Sequence, residues 1–79
     1  AMRYENPTTH NGFVISAYAS ELPEGCWQGQ LVLRKAGYDD VCEANLENRG
    51  TRHEAEQSAL AMGWQLANHV IAVRTSGHK

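Results

Sequence analysis

Residues Thr51 to Val73 constrain this chain more than any other stretch, because they read as one long helix with a wide apolar face. Thr51-Arg52-His53-Glu54 has the spacing of a capping box: the Thr51 hydroxyl can accept from the Glu54 N–H, and the Glu54 carboxylate can reach back to the Thr51 N–H. Gly50 allows a sharp entry, and Glu54 and Glu56 sit near the positive end of the helix dipole. The body is built from good helix formers such as Ala55, Gln57, Ala59, Leu60 and Met62, and Arg74 and Gly77 suit a C-terminus. At about 100° per residue, Met62, Ala55, Leu66, Val73, Ala59, Val70, Gly63, Ala67, Leu60, Ile71 and Trp64 form one arc of roughly 200°. Whatever else the chain does, it must supply a surface to cover that arc. Gly63 lies at its centre and costs a helix interior about 1 kcal/mol relative to Ala. The compensation expected is a close approach of the helix backbone to a sheet.

The covering surface is legible upstream. Phe13–Ser20, Cys26–Lys35 and Asp40–Asn48 read as strands, rich in β-branched and aromatic residues. Glu21-Leu22-Pro23-Glu24-Gly25 and Ala36-Gly37-Tyr38-Asp39 read as the turns between them. A five-residue first loop places Phe13 opposite Leu33, Ile15 opposite Leu31 and Ala17 opposite Gly29. A four-residue second loop places Leu33 opposite Cys42, Leu31 opposite Ala44 and Gly29 opposite Leu46. All three strands then put apolar residues on one face, as a half-buried antiparallel sheet requires. Ala17 and Gly29 form a small mid-sheet site where Gly63 is expected to dock. The outer face receives Val14, Ser16, Tyr18, Gln28, Gln30, Val32 and Arg34, with Val41, Glu43, Asn45 and Glu47 from the third strand. The expected fold is α+β: a three-stranded antiparallel β-meander packed against one long C-terminal α-helix (β-β-β-α). Residues 1–12 are expected as a flexible N-terminal tail, 13–74 as a single domain and 75–79 as a C-terminal tail.

Several function classes are argued against. A chain of 79 residues makes one domain and buries about 60–65% of its unfolded surface, which leaves little room for a deep cleft. The net charge of -2 argues against a general nucleic-acid binder. No apolar run approaches the roughly 18 residues of a membrane span and no secretory signal is evident, so a cytoplasmic location without membrane contact is expected. His10, His53, His69 and His78 form no metal-ligand spacing with one another or with a cysteine. In the register above Cys26 and Cys42 point to opposite faces, so no disulfide is expected; Cys42 reads as a small core residue and Cys26 as a strand-end residue. No nucleophile elbow or phosphate loop occurs, and Asp39-Asp40 suit a turn. The expectation is a protein that is no enzyme, with no catalytic residue, cofactor or metal.

Three strands followed by Thr51-Arg52-His53-Glu54-Ala55-Glu56 opening an Ala-rich helix resemble the strand-to-helix junction of the AP2-type DNA-binding domain, over roughly residues 13–72. That family lines its exposed sheet face with Arg and Trp, where this chain has Arg34 with Glu43 and Glu47. The topology is also similar to that of HicB-type antitoxins, and to small uncharacterised bacterial proteins of β-β-β-α shape. These resemblances imply, as an alternative function, a nucleic-acid-associated regulator or an antitoxin-like protein.

The residues themselves point more to association. The first strand, Phe13–Ser20, is an edge of the expected meander and carries no charge and no proline, the usual protections of an edge. It could be covered by the segment around Tyr4, pair with a second copy, or accept a partner's strand. The helix arc is wider than three strands cover. Val14, Tyr18, Trp64 and Ile71 are therefore the expected interface residues, and a homodimer or an unknown protein is the expected partner.

Overall fold

The computed structural model describes residues 3–44 and 46–77, with helix side chains as far as His69. Five strands and one helix follow in order: β1 (Thr8–His10), β2 (Phe13–Glu21), β3 (Trp27–Arg34), β4 (Val41–Glu43), β5 (Asn48–Arg49) and α1 (Arg52–Gly77). The sheet is antiparallel in the order β1-β2-β3-β4, and β5 also pairs with β3. The helix packs on one face, so the fold is α+β with the helix last in the chain.

The core lies between that face and α1. Phe13, Ile15 and Ala17 from β2 and Leu31 and Leu33 from β3 meet Ala59, Leu60 and Ala67 from α1, all of them buried. Tyr4, Tyr38, Val41, Leu46, Trp64 and Leu66 close its margins. Thr51 caps the helix as its spacing predicts, its Oγ1 accepting from the Glu54 N–H at 3.1 Å. The apolar arc is buried at Ala55, Ala59, Leu60, Gly63 and Ala67, whereas Met62 at its border is exposed. Val70, Ile71 and Val73 lie outside the described side chains.

The structure corrects the expected registers in two different ways. In the first hairpin Ile15 pairs with Leu33, Ala17 with Leu31 and Ala19 with Gly29. The cause is the turn. The Gly25 N–H donates to Leu22 O at 2.9 Å, the Leu22 N–H donates to Cys26 O at 2.8 Å, and Gly25 has φ of 91°. This is the three-residue loop in which glycine takes the left-handed position, and it centres the reversal on Glu24. The strands slip by two residues relative to expectation. A two-residue slip keeps every side chain on its face, so the core is unchanged.

The second hairpin slips by one, which reverses the faces of β4. Leu33 pairs with Val41 and Val32 with Cys42. Val41 therefore packs on the core and Cys42 is exposed, the opposite of their expected places. The turn again explains it: the Tyr38 N–H donates to Lys35 O at 3.0 Å, with Gly37 at φ 85°. Tyr38 then folds its ring edge-on to Phe13, 5.6 Å between centroids, with the Lys35 ammonium 4.9 Å above the Tyr38 ring. Drawing Tyr38 to the core leaves Asp39 and Asp40 to span to β4. The single third strand expected from Asp40 to Asn48 is also interrupted. Leu31 pairs with Glu43 but Gln28 with Asn48, so three steps along β3 match five on the opposing chain. Ala44 is exposed, and Leu46 is bound through its N–H to Gly29 O at 3.1 Å.

The close helix–sheet approach exists, but it is split between two places. A Cβ on Gly63 would overlap the Cγ2 methyl of Ile15, so Gly63 docks on Ile15 and not over Ala17 and Gly29. Gly29 lies under the first turns of α1, where an added Cβ would stand 2.9 Å from Ala55 O and 3.5 Å from the Ala59 Cβ. The two-residue slip is the reason: it moves Gly29 opposite Ala19, away from the Ile15 level.

Residues 3–12, expected within a tail, hold β1 and a set of fastenings. Thr8 pairs with Ile15 and His10 with Phe13, joined by Asn11 and Gly12 at φ 54° and 82°. Both positive angles match the tight turn that Asn-Gly favours. At the other end, the helix continues through residues 75–77, part of the expected C-terminal tail.

Candidate association surface

Among the described residues, nothing covers the outer face of the sheet. The alternation of β2 and β3 places Thr9, Val14, Ser16, Tyr18 and Ser20 there, beside Arg34, Val32, Gln30 and Gln28, with Cys42 from β4. Val14 and Tyr18 are 43% and 52% exposed, large values for apolar and aromatic side chains on a sheet. They flank Ser16 on β2, and Val32 stands directly across from Ser16. The charge on this face is confined to one corner, where the Arg34 guanidinium meets Asp40 at 3.2 Å. A charge-poor centre with an exposed Tyr is the composition found at the cores of protein interfaces.

The other two expected interface residues fare differently. Trp64 is half-buried and already covered by its own chain. The His10 ring stacks on it at 3.7 Å and 12°, and the Tyr4 ring lies 5.3 Å away. Its indole N–H is buried without a hydrogen-bond acceptor among the described residues. Ile71 lies outside the described side chains. Val14 and Tyr18 share one face of the sheet and Trp64 lies on the opposite side, so the four residues do not form one surface.

The β2 edge is also not the open template that three strands imply. β1 covers its first third, Phe13 to Ile15. Beyond β1, the Asn6 side chain accepts from the Ala17 N–H and donates to Ala17 O, both at 2.9 Å. Gln57 does the same for the backbone of Tyr4, both bonds at 2.8 Å. Asn68 Oδ1 binds Asn11 Nδ2 at 2.6 Å and His10 Nε2 at 2.9 Å, closing the strap onto the helix. The segment around Tyr4 is one of the expected covers of this edge and His10 is weighed above only as a metal ligand, while no role at the edge is expected for Asn6, Gln57 and Asn68. The signal that locates them is Asn11-Gly12, a hairpin dipeptide between Thr8-Thr9-His10 and Phe13-Val14-Ile15.

A shallow trough of about 670 Å³ runs over the solvent side of the helix start, lined by Tyr4, Arg49, Glu54, Gln57 and Ser58 among others. Its main cation is engaged: Arg49 Nη2 donates to Glu47 Oε1 at 3.0 Å and to Ser58 Oγ at 3.3 Å. His53 and His69 are exposed, and no group of three or more metal-ligating side chains occurs among the described residues. Cys26 and Cys42 are free thiols. No helix among the described residues is long and apolar enough to cross a membrane.

No protein-family model matches this chain. No curated protein and no solved structure matches it either.

Proposed function

We infer that this chain is a non-enzymatic association module whose uncovered sheet face takes the same face of a second copy. The observation that carries this is the pair Val14 and Tyr18, exposed on a face that has almost no charge. A two-fold contact sets a patch against itself, so a patch with like charges would repel. Among the described residues this one has only Arg34, at a corner and already paired with Asp40. The strap and the short outer strands disfavour edge-to-edge pairing, which leaves the face as the route.

Size sets the expected strength. A nine-residue strand is about 30 Å long and four strands span about 15 Å, and because the two outer strands have three residues each the footprint is at most about 450 Å². A standard interface buries about 800 Å² per partner. The contact therefore belongs to the weak class, with Kd between about 1 µM and 1 mM.

Sedimentation equilibrium at concentrations on either side of that range tests the reading. The expected result is a mass rising toward the dimer, and its loss in Tyr18→Glu. A strict monomer at the highest concentration, or a dimer untouched by Tyr18→Glu with Val14→Glu, refutes it. Salt-sensitive binding to a duplex at physiological ionic strength would instead favour the nucleic-acid-associated alternative.

A further inference from the structure

We propose that Asn6 is an edge guard: its side-chain amide occupies the β2 ladder at Ala17 and so blocks pairing of β2 with the β2 of a second copy. Residues along a strand direct their N–H and C=O alternately to the two sides. Phe13 and Ile15 bind β1 on one side, and Ala17, Ala19 and Glu21 direct their groups to that same side. β1 ends at Thr8, opposite Ile15, so the ladder beyond it has no strand partner among the described residues.

The Ala17 groups are nonetheless taken, the N–H by Asn6 Oδ1 and the C=O by Asn6 Nδ2, both at 2.9 Å. The amide imitates one rung of a neighbouring strand and then stops. A second copy is the occupant this edge fits. In an antiparallel pairing centred on Ala19, Ala17 of each copy faces Glu21 of the other. Residues 13–20 carry no charge and Glu21 faces Ala17, so the strands meet without like charges opposed along the ladder. With Asn6 in place the Ala17 rungs at both ends are lost and only the Ala19 rung remains. That is too short a ladder to hold two copies. The strap thus confines self-association to the sheet face, and its release opens a second, edge-to-edge mode.

The test uses the full chain carrying Tyr18→Glu, which removes face association, so the two modes fail separately. Adding Asn6→Ala is expected to raise the dimer association constant at least roughly tenfold, on the scale of five- to tenfold per ladder bond regained. At high concentration the Ala19 and Glu21 amides should then exchange with solvent more slowly. Ala19→Pro, which deletes the central edge-facing N–H, should abolish the gain. A Tyr18→Glu, Asn6→Ala chain that stays monomeric, with only the Ala17 amide exchanging faster, overturns the proposal. So does association that survives Ala19→Pro. Asn6→Leu keeps the side-chain volume and removes both bonds to Ala17. It covers the case in which Asn6→Ala unfolds: a dimer constant above that of Tyr18→Glu alone supports the guard, and an unchanged one overturns it.

Discussion

Replacing Gly63 by alanine sets two effects of known sign against each other. In an isolated helix the change should stabilise by about 1 kcal/mol. Here the new methyl would overlap Ile15 Cγ2, and Ile15 is fully buried on β2. Cγ2 is attached directly to Cβ and cannot swing aside as a flexible chain end can. Relief therefore requires the helix and sheet to separate, at a cost near the upper end of the roughly 1–3 kcal/mol seen for overpacked cores. The net expectation is a loss of about 2 kcal/mol, or roughly 8–16 °C in Tm for a domain of this size. Ile15→Ala alone should cost about 2–5 kcal/mol by leaving a cavity. In that background the clash is gone, so Gly63→Ala should turn stabilising by about 1 kcal/mol. The cycle then yields a coupling near 3 kcal/mol, far above the additivity error of about 0.5 kcal/mol. Urea unfolding followed by far-ultraviolet circular dichroism reads all four proteins without relying on Trp64. If Gly63→Ala stabilises the parent chain, or if the two substitutions simply add, the docking of Gly63 on Ile15 is wrong.

Gly29→Ala should lower the urea midpoint by about 1–3 kcal/mol equivalent, because its methyl meets a backbone oxygen of Ala55 at 2.9 Å. Faster amide exchange in the first turns of α1 should accompany it. Thr51→Ala should cost about 1 kcal/mol and Thr51→Ser almost nothing, since both hydroxyls can accept from the Glu54 N–H; thermal melts distinguish them. Trp64→Phe should lie within about 1 kcal/mol of the parent, because removing a buried donor with no acceptor offsets the lost ring area. Trp64→Ala should cost about 2–4 kcal/mol, because it also loses the contacts to His10 and Tyr4.

The reach of the sequence can be traced residue by residue. The helix from Thr51 was legible because its signals are local: a cap at a fixed spacing and an apolar arc of period 3.6. The strands from Phe13 and Cys26, and the inward faces of Phe13, Ile15, Ala17, Leu31 and Leu33, follow from alternation alone. That alternation tolerates the two-residue slip at Glu24, so the fold class survived an incorrect register. It does not tolerate the one-residue slip near Tyr38, and there the places of Val41 and Cys42 were inverted. No local pattern announces that Tyr38 will leave the turn to pack on Phe13.

The sequence alone determined a helix that must cover a sheet, and a Gly63 that demands a close neighbour. Only the tertiary structure decided that the neighbour is Ile15, and that Gly29 meets Ala55 instead. It also turned the β2 edge from an open template into one occupied by β1 and Asn6. The bonds responsible join residues far apart in sequence: Asn6 to Ala17, Tyr4 to Gln57, and Asn11 and His10 to Asn68. Polar side chains such as these leave no periodic trace along a chain, and they become partners only once packing of the apolar arc has brought them together.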